Sequence, residues 1–346
     1  MRKCKLVYIG NQLSKYGFTP TLVETLGERF KSDFEVVQGS NKQNKLFRLL
    51  HIWWLVIRNR KSDYLLIDTY STSSFLYAWS SAILSRLFHL RYIPILHGGN
   101  LPLRAKQSPK LMKQFLSKAY EVVCPSDYLK VEMEKVVGGN YKVIPNFIDL
   151  EKYSFEIKSI EKGQDIRLLW VRSFHAIYNP QLAIKVLHQL HENGSDKAKL
   201  CMVGPNKDGS LERTKQLVKD YDLSDFVSFT GKVSQKEWIA LSKDYNIFLN
   251  TTNIDNTPVS VMEAMALGFP VITTNVGGIP YLFQDKIEGI MVDPNNSEKI
   301  VSAIKDLKYY PEKTKGISLA ARKKASEWDW KIVRMQWLNL LDNKAC

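Results

Sequence analysis

Short apolar runs of strand length, separated by stretches of helical period, occur along this chain in two successive series, and no other feature narrows its fold as much. In the first series the runs are residues 5–10, 34–37, 64–67, 92–96, 122–124 and 141–144. They are continuously apolar and do not alternate, as expected of strands covered on both faces in a parallel sheet. Between them, near 20–30, 44–60, 73–88, 108–118 and 128–137, apolar residues recur at helical spacing. Such a βαβ series predicts a doubly wound open sheet. After residues 144–150 (IPNFIDL) a charged stretch, 151–165, reads as a linker. The pattern then restarts, with runs near 166–171, 198–203, 226–229, 245–249, 270–273 and 288–292. The expected fold is α/β, two Rossmann-like domains facing across a cleft. The first is an acceptor domain over 1–150 and the second a donor domain over 151–326. An amphipathic C-terminal helix, 327–342, with Trp328, Ile332 and Met335 at helical spacing, is expected to pack back on the first.

Length agrees, since 346 residues exceed the ~250–300 at which single cores stop growing. With 45% hydrophobic and 24% charged residues the composition is that of a globular protein. Cys4, Cys124, Cys201 and Cys346 show no CxxC spacing, which argues against a zinc site or a disulfide framework and for a reducing compartment. The N-terminal apolar run is too short for a signal peptide, and no run reaches the ~18–20 residues of a membrane span. The nearest, Thr69 to Ser85, is rich in Ser and Thr and ends at Arg86. A cytoplasmic protein is expected, with a peripheral place at the inner membrane face as the alternative. Net charge is +14 and uneven: residues 1–150 hold 22 Lys and Arg against 11 Asp and Glu, and the remainder 27 against 24. The first half therefore attracts anions, whether nucleic acid, an anionic membrane surface or a phosphorylated substrate.

In open α/β sheets ligands bind beyond the carboxyl ends of the strands, so the loops after strands hold the candidate site. The richest segment is 246–282, NIFLNTTNIDNTPVSVMEAMALGFPVITTNVGGIPYL. A strand end and a polar loop lead to a helix with Thr257 as expected N-cap and Pro258 as first helical residue; Gly268 ends it. The helix start at Pro258, Val259, Ser260 and Val261 offers the backbone N–H groups of its non-proline residues and the positive end of a dipole to a diphosphate. Glu263, further in, is placed to reach a ribose, and Asp255, eight positions earlier, to reach a sugar beyond the phosphates. After the first strand of the second domain comes Arg172, suited to bidentate phosphate contact.

This segment resembles the acidic-x7-acidic signature of family 4 of the retaining nucleotide-sugar glycosyltransferases (the GT-B fold, glycosyltransferase group 1), followed by that family's EAMA-x-G-x-PVI-x-T-x-x-GG-x-P continuation. The family pattern usually begins with Glu, where this chain has Asp255. The resemblance implies that Arg172 clamps the diphosphate. A second family cation is missing, since Ile177 and Tyr178 occupy its region, and Lys207 is the candidate replacement. It further implies that Gly231, Lys232 and Val233 hold the nucleobase and that His97, before Gly98 and Gly99, contacts the transferring sugar. Gly10, Asn11 and Gly17 belong to a loop directly after the first strand, placed to approach a phosphate or sugar of the donor, and this loop departs from the Gly-Gly form common in the family. The expected reaction is retaining transfer to a saccharide or lipid-linked saccharide acceptor in cell-envelope polysaccharide synthesis. Neither a metal nor another cofactor is expected beyond the nucleotide-sugar co-substrate. A nonhydrolysing sugar-nucleotide epimerase and a basic nucleic-acid-binding protein remain open, although no nucleic-acid module is recognisable and nucleic acid is not an expected partner. The basic, apolar stretch 45–61 is read as core at Trp53 and Trp54, with Arg58, Arg60 and Lys61 in solvent.

Overall fold

A computed structural model describes residues 3–341, apart from residues 19, 162 and 196. Position 342 of the expected C-terminal helix and Cys346 lie outside the described residues. The first unit carries a parallel sheet of β1 (Lys5–Ile9), β2 (Glu35–Gly39), β3 (Tyr64–Thr69), β4 (Arg91–Leu96), β5 (Val123–Cys124) and β6 (Lys142–Val143), in the order β2-β1-β3-β4-β5-β6. Val7 lies opposite Val37 on one side and Leu65 on the other. All of β3 is buried, which is why its sequence shows no alternation. The second unit has β7 (Arg167–Val171), β8 (Lys199–Val203), β9 (Val227–Gly231), β10 (Ile247–Asn250), β11 (Val271–Thr274) and β12 (Ile290–Val292), in the order β12-β11-β10-β7-β8-β9. Here successive residues of β7 feed opposite cores: Leu168 and Trp170 join one apolar cluster, Leu169 the other.

Each sheet reverses its strand order once, at β1/β3 in the first unit and at β7/β10 in the second. At such a point the loops leaving neighbouring strands turn to opposite faces and leave a crevice beyond the strand ends. Both candidate clusters described below lie at these points.

Residues up to Pro145, joined by those from Arg334 on, form the first compact unit, and Asn146–Val333 form the second. The charged stretch read as a linker thus lies inside the second unit. Tyr153 and Ile160 are core residues there, and the intervening charge hid their burial. The C-terminal helix runs over Trp330–Leu340, and its buried side chains are Trp330, Val333 and Trp337, while Ile332 and Met335 are exposed. Trp328, the first residue of the expected face, precedes the helix and is buried in the core of the second unit, so it does not share a helical face with Ile332 and Met335. Trp337 meets Phe30 edge to face at 5.6 Å, and Arg334 Nε donates to Asp33 Oδ2 at 2.9 Å, both within the first unit. Cys124 and Cys201 are buried free thiols. Cys4 is disulfide-bonded, against the expectation from cysteine spacing, which reports only local motifs.

Candidate active site

The polar groups of the second unit gather where β7 and β10 end. Arg172 directly follows β7, its N–H held by Val203 O at 3.0 Å. Its guanidinium lies 4.5 Å from the centre of the Tyr178 ring and forms an ion pair with Asp255, from the loop after β10. Both side chains are mostly buried, at 16% and 14% exposure, so their charges are less screened than at a surface. The loop holding Asp255 is pressed from behind by Gly277 and Gly278. A Cβ at Gly277 would lie 2.1 Å from Asp255 O, and its φ of +54° disfavours other residues.

The helix Val259–Leu267 is buried on every side from Val261 to Leu267, which accounts for its missing amphipathic stripe. Its N-cap is Pro258, not Thr257, because ψ of 108° at Pro258 is extended and helical geometry begins one residue later. Val261 and Met262 N–H donate to Pro258 O at 3.0 and 3.3 Å. Val261 is thereby corrected as a donor for ligands, and the first-turn amides left at the helix end are those of Val259 and Ser260. Thr257 Oγ1 and Ser260 Oγ are buried there without hydrogen-bond partners, which is uncommon for hydroxyls away from water.

Glu263 lies one turn inside. Its Oε1 accepts from Tyr153 Oη at 2.5 Å and Gln235 Nε2 at 2.8 Å. Burial raises its pKa, opposed by these two hydrogen bonds, and burial with the adjacent carboxylate raises that of Tyr153. Arg322 holds Tyr153 in place by donating to its carbonyl at 2.9 Å.

Lys207 is exposed on the loop after β8, its N–H bonded to Phe174 O at 2.9 Å. Gly231 ends β9, its carbonyl accepting from Gly204 N at 2.9 Å; Lys232 is exposed, and Val233 packs on the core.

In the first unit, Gly10 and Asn11 follow β1. The Asn11 side-chain oxygen accepts from Arg48 Nη1 at 3.0 Å, and Arg48, itself buried, also donates to Lys42 O and Gln43 O. Gly17 closes the turn Ser14–Tyr16. His97 follows β4, stacks on Tyr70 with centroids 5.0 Å apart, and bonds through Nε2 to Asp68 at 3.1 Å. Asp68 escaped the sequence reading, as did Tyr8, Tyr153 and Gln235. A signal existed for Asp68: it is the only acidic residue between Asp63 and Glu121, at the end of an otherwise apolar strand.

The helix Lys45–Arg58 rests on the sheet through Ile52, Leu55 and Val56. Trp53 is half-buried and bonded to Ser80 Oγ at 3.0 Å. Trp54 is not core: it is 48% exposed, beside Phe47 at 63%, Leu46, Leu50 and Ile57. A helix whose apolar residues nearly encircle it can cover only one face on a sheet, and the rest stays outside. Arg58, Arg60 and Lys61 are exposed as expected, with Arg58 4.9 Å from the Trp54 ring. Residues 36–62 contain no Asp or Glu.

Two six-stranded parallel α/β units, each with its polar cluster at a switch point, are the architecture of the GT-B class of glycosyltransferases. The chain resembles sucrose-phosphate synthase from Thermosynechococcus elongatus (TM-score 0.78, 15% identity, 98% of each chain covered). It also resembles Anabaena HepE, solved with UDP and glucose (TM-score 0.74, 16% identity, 98% and 99% covered). Residues 6–152 match the family model for Glycosyltransferase Family 4, and residues 153–324 that for glycosyl transferases group 1. The chain belongs to this family of glycosyltransferases. Among its relatives, Salmonella typhimurium WcaL, named for colanic acid biosynthesis, is 26% identical over 58% of this chain and 51% of its own length. Bacillus subtilis TuaC, named for teichuronic acid biosynthesis, is 26% identical over 65% and 57%. The chain thus spans about half the length of these curated relatives. Among the described residues no helix is long and apolar enough to cross a membrane.

Proposed function

We propose that this chain transfers a sugar, with retention at the anomeric carbon, from a nucleoside diphosphate to a saccharide or lipid-linked saccharide of a cell-envelope polysaccharide. The observation that carries this reading is the start of the helix Val259–Leu267. Buried hydroxyls of Thr257 and Ser260 lack partners there, two and five residues beyond an Asp255 that pairs with Arg172. Such a site suits a diphosphate leaving group. Arg172, with Lys207 as a second cation, the amides of Val259 and Ser260, and the helix dipole oppose the charge that develops as the glycosidic bond breaks. Asp255 faces the sugar side, Glu263 receives the ribose hydroxyls on its preset carboxylate, and Gly231–Val233 flank the base. In the first unit, Gly10, Asn11 and Gly17 approach the donor and His97 meets the sugar. The departing phosphate accepts the acceptor's proton, so neither a covalent nucleophile nor a metal is required.

The acceptor side of the proposal draws on the exposed face of the helix Lys45–Arg58. Apolar side chains flanked by Lys and Arg, with no acid in residues 36–62, suit an anionic membrane surface, where lipid-linked saccharides reside. The names of the relatives, which concern envelope polysaccharides, support the same direction.

The test is a thermal-shift screen of nucleoside diphosphates and their sugars, because a ligand that binds only the folded chain raises its melting temperature. A hit is followed by NMR assignment of the product anomer. Stabilisation by one base and a product of retained configuration are expected. No shift with any nucleotide sugar rejects the proposal.

A further inference from the structure

Asp68 is a carboxylate for which the proposed reaction has no use, and its surroundings are costly to build. It ends β3 and is 5% exposed. Its Oδ1 accepts from Tyr8 Oη at 2.7 Å and from His97 Nε2 at 3.1 Å, while Oδ2 is buried without a hydrogen-bond partner. Three neighbouring strands, β1, β3 and β4, thus bring one member each to a polar chain at the switch point of the first sheet. An apolar residue at position 68 would fill the space without the penalty of burying a carboxylate, so packing alone does not account for Asp68.

A carboxylate has only lone pairs to offer, so the proton between Asp68 Oδ1 and His97 belongs to Nε2. The other ring nitrogen, Nδ1, is then a lone-pair acceptor in the neutral imidazole. Stacking on Tyr70 holds the ring plane. Burial and the nearby carboxylate push the Tyr8 hydroxyl pKa well up, keeping it a donor to Asp68. The backbone is fitted to the carboxylate, since a Cβ at Gly10 would lie 2.9 Å from both Asp68 Cβ and Asp68 Oδ2.

We propose that Asp68 is a positioning residue that locks His97 as its Nε2–H tautomer and so presents Nδ1 as the acceptor for a hydroxyl of the transferring sugar. This rests on the reading of the chain as a glycosyltransferase whose sugar meets His97.

The experiment combines a measurement that needs no activity with one that does. In the full chain labelled with 15N-histidine, the His97 signals, assigned by their loss in His97→Gln, should show a protonated Nε2 and a bare Nδ1. Asp68→Leu, close to isosteric, should lose that preference. It should also lower kcat about 10–100-fold, by analogy with the scale on which carboxylates orient metal-ligating histidines, and leave nucleoside diphosphate affinity within about twofold. A folded Asp68→Leu with an unchanged tautomer, or with wild-type kcat, overturns the proposal. Equal losses of kcat and nucleotide affinity overturn it too, since they indicate general disruption. If Asp68→Leu does not fold, Gly10→Ala replaces it, because the added methyl displaces the carboxylate without changing its chemistry. The same tautomer loss is expected, and wild-type spectra with wild-type kcat overturn the proposal. Should the wild-type chain transfer no sugar from any donor, the glycosyltransferase reading fails, while the NMR comparison still decides whether Asp68 locks the ring.

Discussion

The two units place different chemistry at equivalent points of their sheets. In the second, a guanidinium–carboxylate ion pair stands beside a helix N-terminus with unpartnered hydroxyls. In the first, a carboxylate is spent on a phenol and an imidazole, and the buried cation Arg48 is consumed by two carbonyls and Asn11. Fixed positive charge and free N–H groups suit a multiply charged group, whereas neutral donors and acceptors suit hydroxyls. The first unit makes up for this with its outer surface, where basic and apolar side chains share one helix. The contrast teaches that a shared fold fixes where a ligand sits but not what it is.

The sharpest way to break the contrast is Arg172→Ala. If the second unit holds the leaving group, turnover should fall by ~2.7–4 kcal/mol of transition-state stabilisation, about 100–1,000-fold in kcat/KM. Wild-type turnover in a folded variant would remove the distinction between the units. Lys207→Ala, in comparison, separates a second phosphate cation from a surface lysine, since only the former lowers turnover.

Glu263→Gln should weaken binding of both the nucleotide sugar and the free nucleoside diphosphate by about 1.5–3 kcal/mol, the range for hydrogen bonds to charged groups. It carries a pH signature as well. Because the folded pKa of Glu263 is raised by burial, its contribution to stability is present at low pH and is lost as pH rises through that folded value. Gln keeps the acceptor for Tyr153 and Gln235 and does not ionise. The variant should therefore gain stability relative to wild type as pH rises, which chemical denaturation at a series of pH values measures. An identical pH dependence in both proteins would show that Glu263 is not strained by burial.

The basic helix face gives the smaller effect per residue. Replacing Arg58, Arg60 and Lys61 by Gln should weaken co-sedimentation with anionic vesicles by about 1 kcal/mol per residue at low salt, and high salt should release the wild type. Absence of binding to anionic vesicles at low salt defeats the membrane reading. No change is expected in transfer activity after chelation by EDTA; a loss restored by a divalent cation would require a metal in the reaction.

Legibility in sequence followed the spacing of the parts. Asp255, the helix start and Glu263 lie within one contiguous stretch, so turn chemistry and the family motif could be read together, and the apolar runs of both sheets were plain because buried parallel strands are continuously apolar. The polar chain of the first unit comes from three separate strands, and Tyr8 and Asp68 read as ordinary members of β1 and β3 until the parallel register set them side by side. The helix Leu101–Gln107 is not among the expected helical stretches; its Pro102 lies in the first turn, where a proline is compatible with a helix. Trp54 was misjudged for a different reason. Periodicity tells how much of a helix is apolar, but not how much of it a neighbour will cover.

The return of the chain to its first unit at Arg334 has a consequence for biosynthesis. On the ribosome, the first sheet is complete once Val143 has emerged, yet Phe30 and Asp33 wait for Trp337 and Arg334, about 190 residues later. At ~5–20 residues per second the delay is roughly 10–40 s. Throughout that interval Phe30 of the nascent first unit has Phe34 but not Trp337 against its ring, and Asp33 lacks its guanidinium partner. This is a window in which chaperones can bind, and it closes only when Arg334 and Trp337 have emerged.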